Sequence, residues 1–241
     1  VQIIGAGPDA TVLDAQSAGA RAITMLNTYP DARVSGLKMI NANWATNGSN
    51  WGSPGTVGIA LYLYHSRGTV SDCVAMNNTA PRPGGGNGSP GYPAGTFHAD
   101  ISDLVFSNCI VSGNSSTSSY AEGFLAAGIS IEGGRAFLSN CSVTSNSTTG
   151  ATLAGWGFGR GSRVYLNGTG ELRNCLVCAN SGASDVHPSR PIHGQGIYVA
   201  GGAWTIHNTT IVTNRNRGAT ADSQQLFVAL SLIHISEPTR L

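Results

Sequence analysis

Charge is what this sequence has least of. Asp, Glu, Lys and Arg make up only 10% of its 241 residues, the net charge is +1, and Lys38 is the sole lysine. A nucleic acid or an anionic lipid surface is held by a basic stripe, so neither is an expected partner. Long apolar runs are also missing. None approaches the roughly 18 residues of a membrane span, so no transmembrane segment is expected. Aromatic residues are few, at 7%. Apolar residues spaced three and four apart, which would bury one face of a helix, do not recur. The first residues carry no charged and apolar leader pattern, and they read as a mature fragment or as a chain whose beginning is missing. At the other end, "LSLIHISEPTR" (230–240) reads as the in-frame translation of a sequencing adapter, so residues 230–241 are set apart from a domain expected to span 1–229.

What the sequence does have is a repeat. "VSDCVAMNN", "FSNCIVSGN", "LSNCSVTSN" and "LRNCLVCAN" share one cysteine position. Aligned on it, Leu37, Cys73, Cys109, Cys141, Cys175 and Thr209 are separated by 36, 36, 32, 34 and 34 residues. Such a period marks a repeat architecture. Two residues after the anchor stand Met39, Ala75, Val111, Val143, Val177 and Ile211, and three before it Val34, Val70, Phe106, Leu138, Leu172 and Ile206. Farther upstream, pairs such as Leu61 with Leu63, Ile129 with Ile131 and Ile197 with Val199 alternate with period two, and Val164 with Leu166 join after a one-residue slip. Alternation of this kind marks strands with one buried face. Three short strands are expected per repeat, near "GISIEG", "RAFL" and "CSVTS". Each can bury its apolar row only by stacking in register on the next repeat. The expected fold is all-β, a parallel solenoid of about six coils.

Two polar columns accompany the anchor. Asp72, Asn108, Asn140, Asn174 and Asn208 precede it, where a sharp bend needs a residue that tolerates the left-handed conformation. Asn78, Asn114, Asn146, Asn180 and Asn214 follow five residues later, placed to stack their amides from coil to coil. The cysteines read as dense apolar filler facing inward. Cys175 and Cys178 form a nominal C-x-x-C, but residues three apart on a strand face opposite ways, which removes the redox motif. "GAGPDA" at 5–10 matches a dinucleotide fingerprint in letters alone, because the β-leaning "TVLDA" after it is no helix.

The "SNC-x-V-x-x-N" phrases, the "GI-x-(I/V)-x-GG" phrases at Gly128 and Gly196, and the opening "IIGAGPDATVLDA" resemble the right-handed parallel β-helix repeat family, the pectin-lyase-like superfamily. The resemblance implies a right-handed parallel β-helix. It leaves activity open, because that fold carries lyases, hydrolases and adhesins alike.

Candidate chemistry lies on the outward rows of the first strand of each repeat. Tyr62, His98, Ser130, Tyr165 and Tyr198 form one row, and Tyr64, Asp100, Glu132 and Asn167 the next, both expected on an exposed face. Aromatic rings beside carboxylates suit sugars, so Tyr62, Tyr64, Tyr165, Tyr198 and Trp156 are the expected glycan contacts. If the chain is an enzyme, Asp100, Glu132 and His98 are the candidate catalytic residues, acting on acidic polysaccharide as a lyase or glycoside hydrolase. No metal ligand set or cofactor is expected, with Ca²⁺ entering only in the lyase case. Long loops carrying Arg82, Trp156, Arg160, Arg163, His187, Arg190 and His193 are expected beside the same face. The leading expectation is a bacterial scaffold, secreted or on the outer surface, that binds polysaccharide or cell-surface glycan as an adhesin does. The alternatives are the enzyme and a purely structural spacer.

Overall fold

In a computed structural model of the chain, residues 1–17, 20–29, 31–43, 58–80, 95–118, 127–150, 164–184, 196–216, 226–228 and 232–236 are described. Among them every regular element is a β-strand. The strands stack into three parallel sheets of eleven, seven and five strands. The repeats therefore wind as a solenoid, and five coils contribute a strand to all three sheets, where six coils were expected.

Within a coil the strands fall differently from the expected three. The two upstream strands are one continuous strand in four coils, Phe97–Ser107, Ile129–Ser139, Val164–Arg173 and Ile197–His207. The two coils before them are split, one into Ile23–Leu26 and Ala32–Ser35 and the next into Leu61–Tyr64 and Arg67–Ser71, where His65 takes φ 45°. Gly133 and Gly134 absorb the bend of the Ile129–Ser139 strand with φ 76° and 74°, so pairing resumes beyond it with a local register shift. The third sheet comes from polar segments such as Ser115–Ser118 and Ser147–Gly150. Its buried residues Ser116 and Thr148 are hydroxylic, so no apolar alternation announces it.

The inward columns are the ones the period marks. Val34, Val70, Phe106, Leu138, Leu172 and Ile206 are all buried, as are the anchor residues Leu37, Cys73, Cys109, Cys141 and Cys175. Register follows the alignment, including the slip: Ile129 pairs with Val164, and Ile131 with Leu166. Each fully buried Leu, Ile, Val or Phe contributes about 1.5–3 kcal/mol. The column that contains Ala136, Gly170 and Trp204 matches sizes across coils. A Cβ on Gly170 would meet the Trp204 ring at 2.8 Å, so the absent side chain makes room for the indole.

Both asparagine columns hold the corners. Asp72, Asn108, Asn140, Asn174 and Asn208 sit at φ 45–54°, and each amide donates to the residue one coil before, as Asn140 does to Asn108 Oδ1 at 3.2 Å. A second left-handed column, Asn41, Asn77, Gly113, Ser145, Ala179 and Thr213, follows six of the seven second-sheet strands. Its residue types vary, which hides it from the sequence. "GAGPDA" makes a turn between the strands Gln2–Ile4 and Val12–Asp14, and no helix follows it. Leu232–Ser236, in the segment set apart as adapter-like, pairs in parallel with Ala203–His207; its β-branched Ile233 and Ile235 suit a strand.

Candidate functional site

Parallel register carries the first sheet's outer rows from coil to coil. Tyr62 pairs with His98, His98 with Ser130, Ser130 with Tyr165, and Tyr165 with Tyr198. The row is assembled as the sequence indicates, but it is not exposed. Tyr62, His98, Ser130, Tyr165 and Tyr198 are all at least nine-tenths buried. Glycines just ahead of two of the strands lie against Tyr62, His98 and Ser130. A Cβ on Gly58 would meet Tyr62 Cβ at 3.0 Å and His98 Cβ at 3.3 Å, and one on Gly95 would meet Ser130 Cβ at 2.8 Å. These close approaches explain why glycine stands at both positions, and nothing in the strand alternation reveals them.

Within this buried row the rings stack on one another. Tyr62 and His98 have centroids 5.6 Å apart, Tyr165 and Tyr198 5.8 Å, and the Arg21 guanidinium lies 4.9 Å from the Tyr62 ring centre. Arg21 also donates from Nε to the Gly58 carbonyl at 2.9 Å, fixing the covering segment. Sequence reasoning missed Arg21, which lies outside the repeat phrases. Burial lowers its pKa to about 10 and keeps the Tyr62 hydroxyl protonated far above its usual range. His98 is pushed down to about 3, chiefly by burial and further by Arg21, so it is a neutral imidazole at physiological pH.

The neighbouring row remains accessible. Tyr64, Asp100, Glu132 and Asn167 occupy successive coils in register and are all half-buried. Asn167 Nδ2 donates to Glu132 Oε1 at 2.7 Å, and the Tyr64 ring stacks on His65 at 4.2 Å. Burial raises the Asp100 pKa, with His65 opposing. The result is a ledge bearing one ring, two carboxylates and an amide. Adjacent coils are about 4.8 Å apart. Of the expected catalytic residues, Asp100 and Glu132 meet on this ledge, while His98 lies on the covered row.

The Asp100 shift has a sign that stability measurements read. A carboxyl whose pKa is raised by folding favours the folded state while protonated, and that contribution is lost as pH rises through the folded value. Asp100→Asn is therefore expected to raise the thermal midpoint at neutral pH and to match the unsubstituted chain in acid below the carboxylate range. Equal midpoints at neutral pH would contradict the shift.

Trp156, Arg82, Arg160, Arg163, His187, Arg190 and His193 lie outside the described residues. Among the described residues no three His, Cys, Asp or Glu side chains gather where they would hold a metal ion, and no helix is long and apolar enough to cross a membrane. In comparisons with known proteins, a family model described as the right handed beta helix region matches residues 11–167. No curated protein and no solved structure matches the chain.

Proposed function

Because this chain belongs to the right-handed β-helix family, we propose that it is a secreted or cell-surface scaffold whose first sheet binds glycan along the ledge of Tyr64, Asp100, Glu132 and Asn167. The observation that carries this reading is the register itself. It repeats half-buried polar groups at one-coil intervals beside a ring. Carboxylates and amides accept and donate to sugar hydroxyls, and a tyrosine face covers the apolar face of a pyranose. Tyr62, Tyr165 and Tyr198 lie in the buried row beside the ledge, Tyr62 stacked on His98 and Tyr165 on Tyr198. The low charge and the Ser, Thr and Asn content support an extracellular setting on a bacterium.

The test is retention on a panel of immobilised neutral, acidic and amino-sugar oligosaccharides. The chain is expected to be retained by at least one class, and Tyr64→Ala to bind it about tenfold more weakly, a loss of about 1.4 kcal/mol. No retention would favour the spacer reading, and equal retention by Tyr64→Ala would move the site elsewhere.

A second reading has its own support. Asp100 is raised by burial while Glu132 accepts a hydrogen bond from Asn167, so two carboxylates on adjacent coils sit in different environments, as acid and base partners do. Release of new reducing ends or of unsaturated uronate by the unsubstituted chain but not by Asp100→Asn would establish it. Such turnover would make the ledge a lyase or hydrolase groove rather than a binding surface.

A further inference from the structure

The anchor column holds four buried thiols on consecutive coils, Cys73, Cys109, Cys141 and Cys175, and none forms a disulfide. All four point the same way. Each Sγ donates to the carbonyl two residues before it, at 3.2 Å to Ser71, 3.4 Å to Ser107, 3.4 Å to Ser139 and 3.4 Å to Arg173. Thiols in one orientation on in-register coils are held one coil spacing apart, about 4.8 Å. A disulfide requires about 2.05 Å, so the column does not favour one. Tetrahedral zinc requires four ligands at about 2.3 Å around one point, which a straight column does not offer. Two metal–sulfur bonds of about 2.3 Å laid end to end span about 4.6 Å, close to the coil spacing.

We propose that the cysteine column is a binding site for a soft divalent cation, held in linear two-coordination between thiolates of adjacent coils. Softness follows from the ligands, since thiolates select soft metals. Charge follows from the surroundings. One dication displaces two protons from two thiols and leaves a neutral complex, whereas a monovalent ion would leave a net negative charge among Val34, Val70, Phe106 and Leu138. Four thiols accommodate two such ions, between Cys73 and Cys109 and between Cys141 and Cys175.

The probe is mercuric ion, added to the folded chain with Cys178→Ser removing the half-exposed outer thiol. Uptake of about two equivalents is expected, with about two protons released per ion and two sulfur neighbours by X-ray absorption. Cys109→Val with Cys175→Val leaves Cys73 and Cys141 two coils apart and is expected to take up none. Cys73→Val with Cys109→Val keeps an adjacent pair and is expected to take up about one equivalent. Leu37 and Thr209 already occupy this column, which shows that it accepts residues other than cysteine. Uptake by the separated pair equal to that of the four-thiol chain, three or more sulfurs per metal, or uptake only with loss of the β-sheet circular dichroism would each overturn the site.

Discussion

Asn146→Ala is expected to cost about 3–9 kcal/mol of folding stability, from three buried groups that each lose a hydrogen-bond partner at about 1–3 kcal/mol. Asn146 Oδ1 accepts from the Asn114 backbone N–H at 3.1 Å and from Asn114 Nδ2 at 2.9 Å, and its own Nδ2 donates to the Val111 carbonyl at 2.9 Å. Truncation removes these three hydrogen bonds inside the solenoid, together with the one that Asn146 Nδ2 donates to Asn180 Oδ1 at 3.0 Å. The ladder continues through Asn180 and Asn214, so the break falls in the middle of a connected network rather than at its edge. Asn140→Gly is the matched contrast. It removes an amide from the exposed column, where water replaces the lost partners, and glycine adopts the φ of 53° without strain. Its expected change is within about 0.5 kcal/mol. Urea unfolding of both variants separates the columns. Equal midpoints would mean that the buried amides do not hold the corners.

Acid sensitivity centred on His98 is the second large effect. The imidazole is held neutral down to about pH 3 by burial, with Arg21 adding to the depression, whereas an unfolded histidine takes up its proton near its ordinary value of 6.5. Stability from this group is fully present above the unfolded value and is lost as pH falls from there toward the folded value. The groups that face His98 are the stacked Tyr62 ring, Arg21 and, on the next coil, Ser130, none of which supplies a negative charge to rescue the imidazolium. Asp100, with its raised pKa, works in the opposite direction within the carboxylate range and partly offsets the loss there. The urea midpoint of the unsubstituted chain is expected to fall steeply through the histidine range, and that of His98→Gln to stay flatter. Identical slopes would place the acid sensitivity elsewhere.

The sequence disclosed whatever repeats in chemical type. Cys73, Cys109, Cys141 and Cys175 mark the period. The apolar rows beside them place the core, and the one-residue slip at Val164 is legible because Leu166 keeps the alternation. Positions where backbone geometry repeats without residue type stayed hidden, as at Asn77, Gly113, Ser145, Ala179 and Thr213, which share a left-handed conformation and no chemistry. The third sheet was silent for a related reason, since Ser116 and Thr148 bury hydroxyls rather than hydrocarbon. On the candidate site, alternation identifies which residues point outward from the sheet. It does not report what the chain lays over them, so Tyr62 and Tyr198 read as open rings although Gly58 and the stacked Tyr165 help to enclose them.

The most direct measurement is hydrogen exchange of the folded chain with and without the oligosaccharide class that retains it on the panel. Slower exchange is expected in the first-sheet strands that carry Tyr64, Asp100, Glu132 and Asn167, with the second and third sheets unchanged. Protection confined to the second or third sheet, or no retained glycan to test, would contradict the ledge as the binding site.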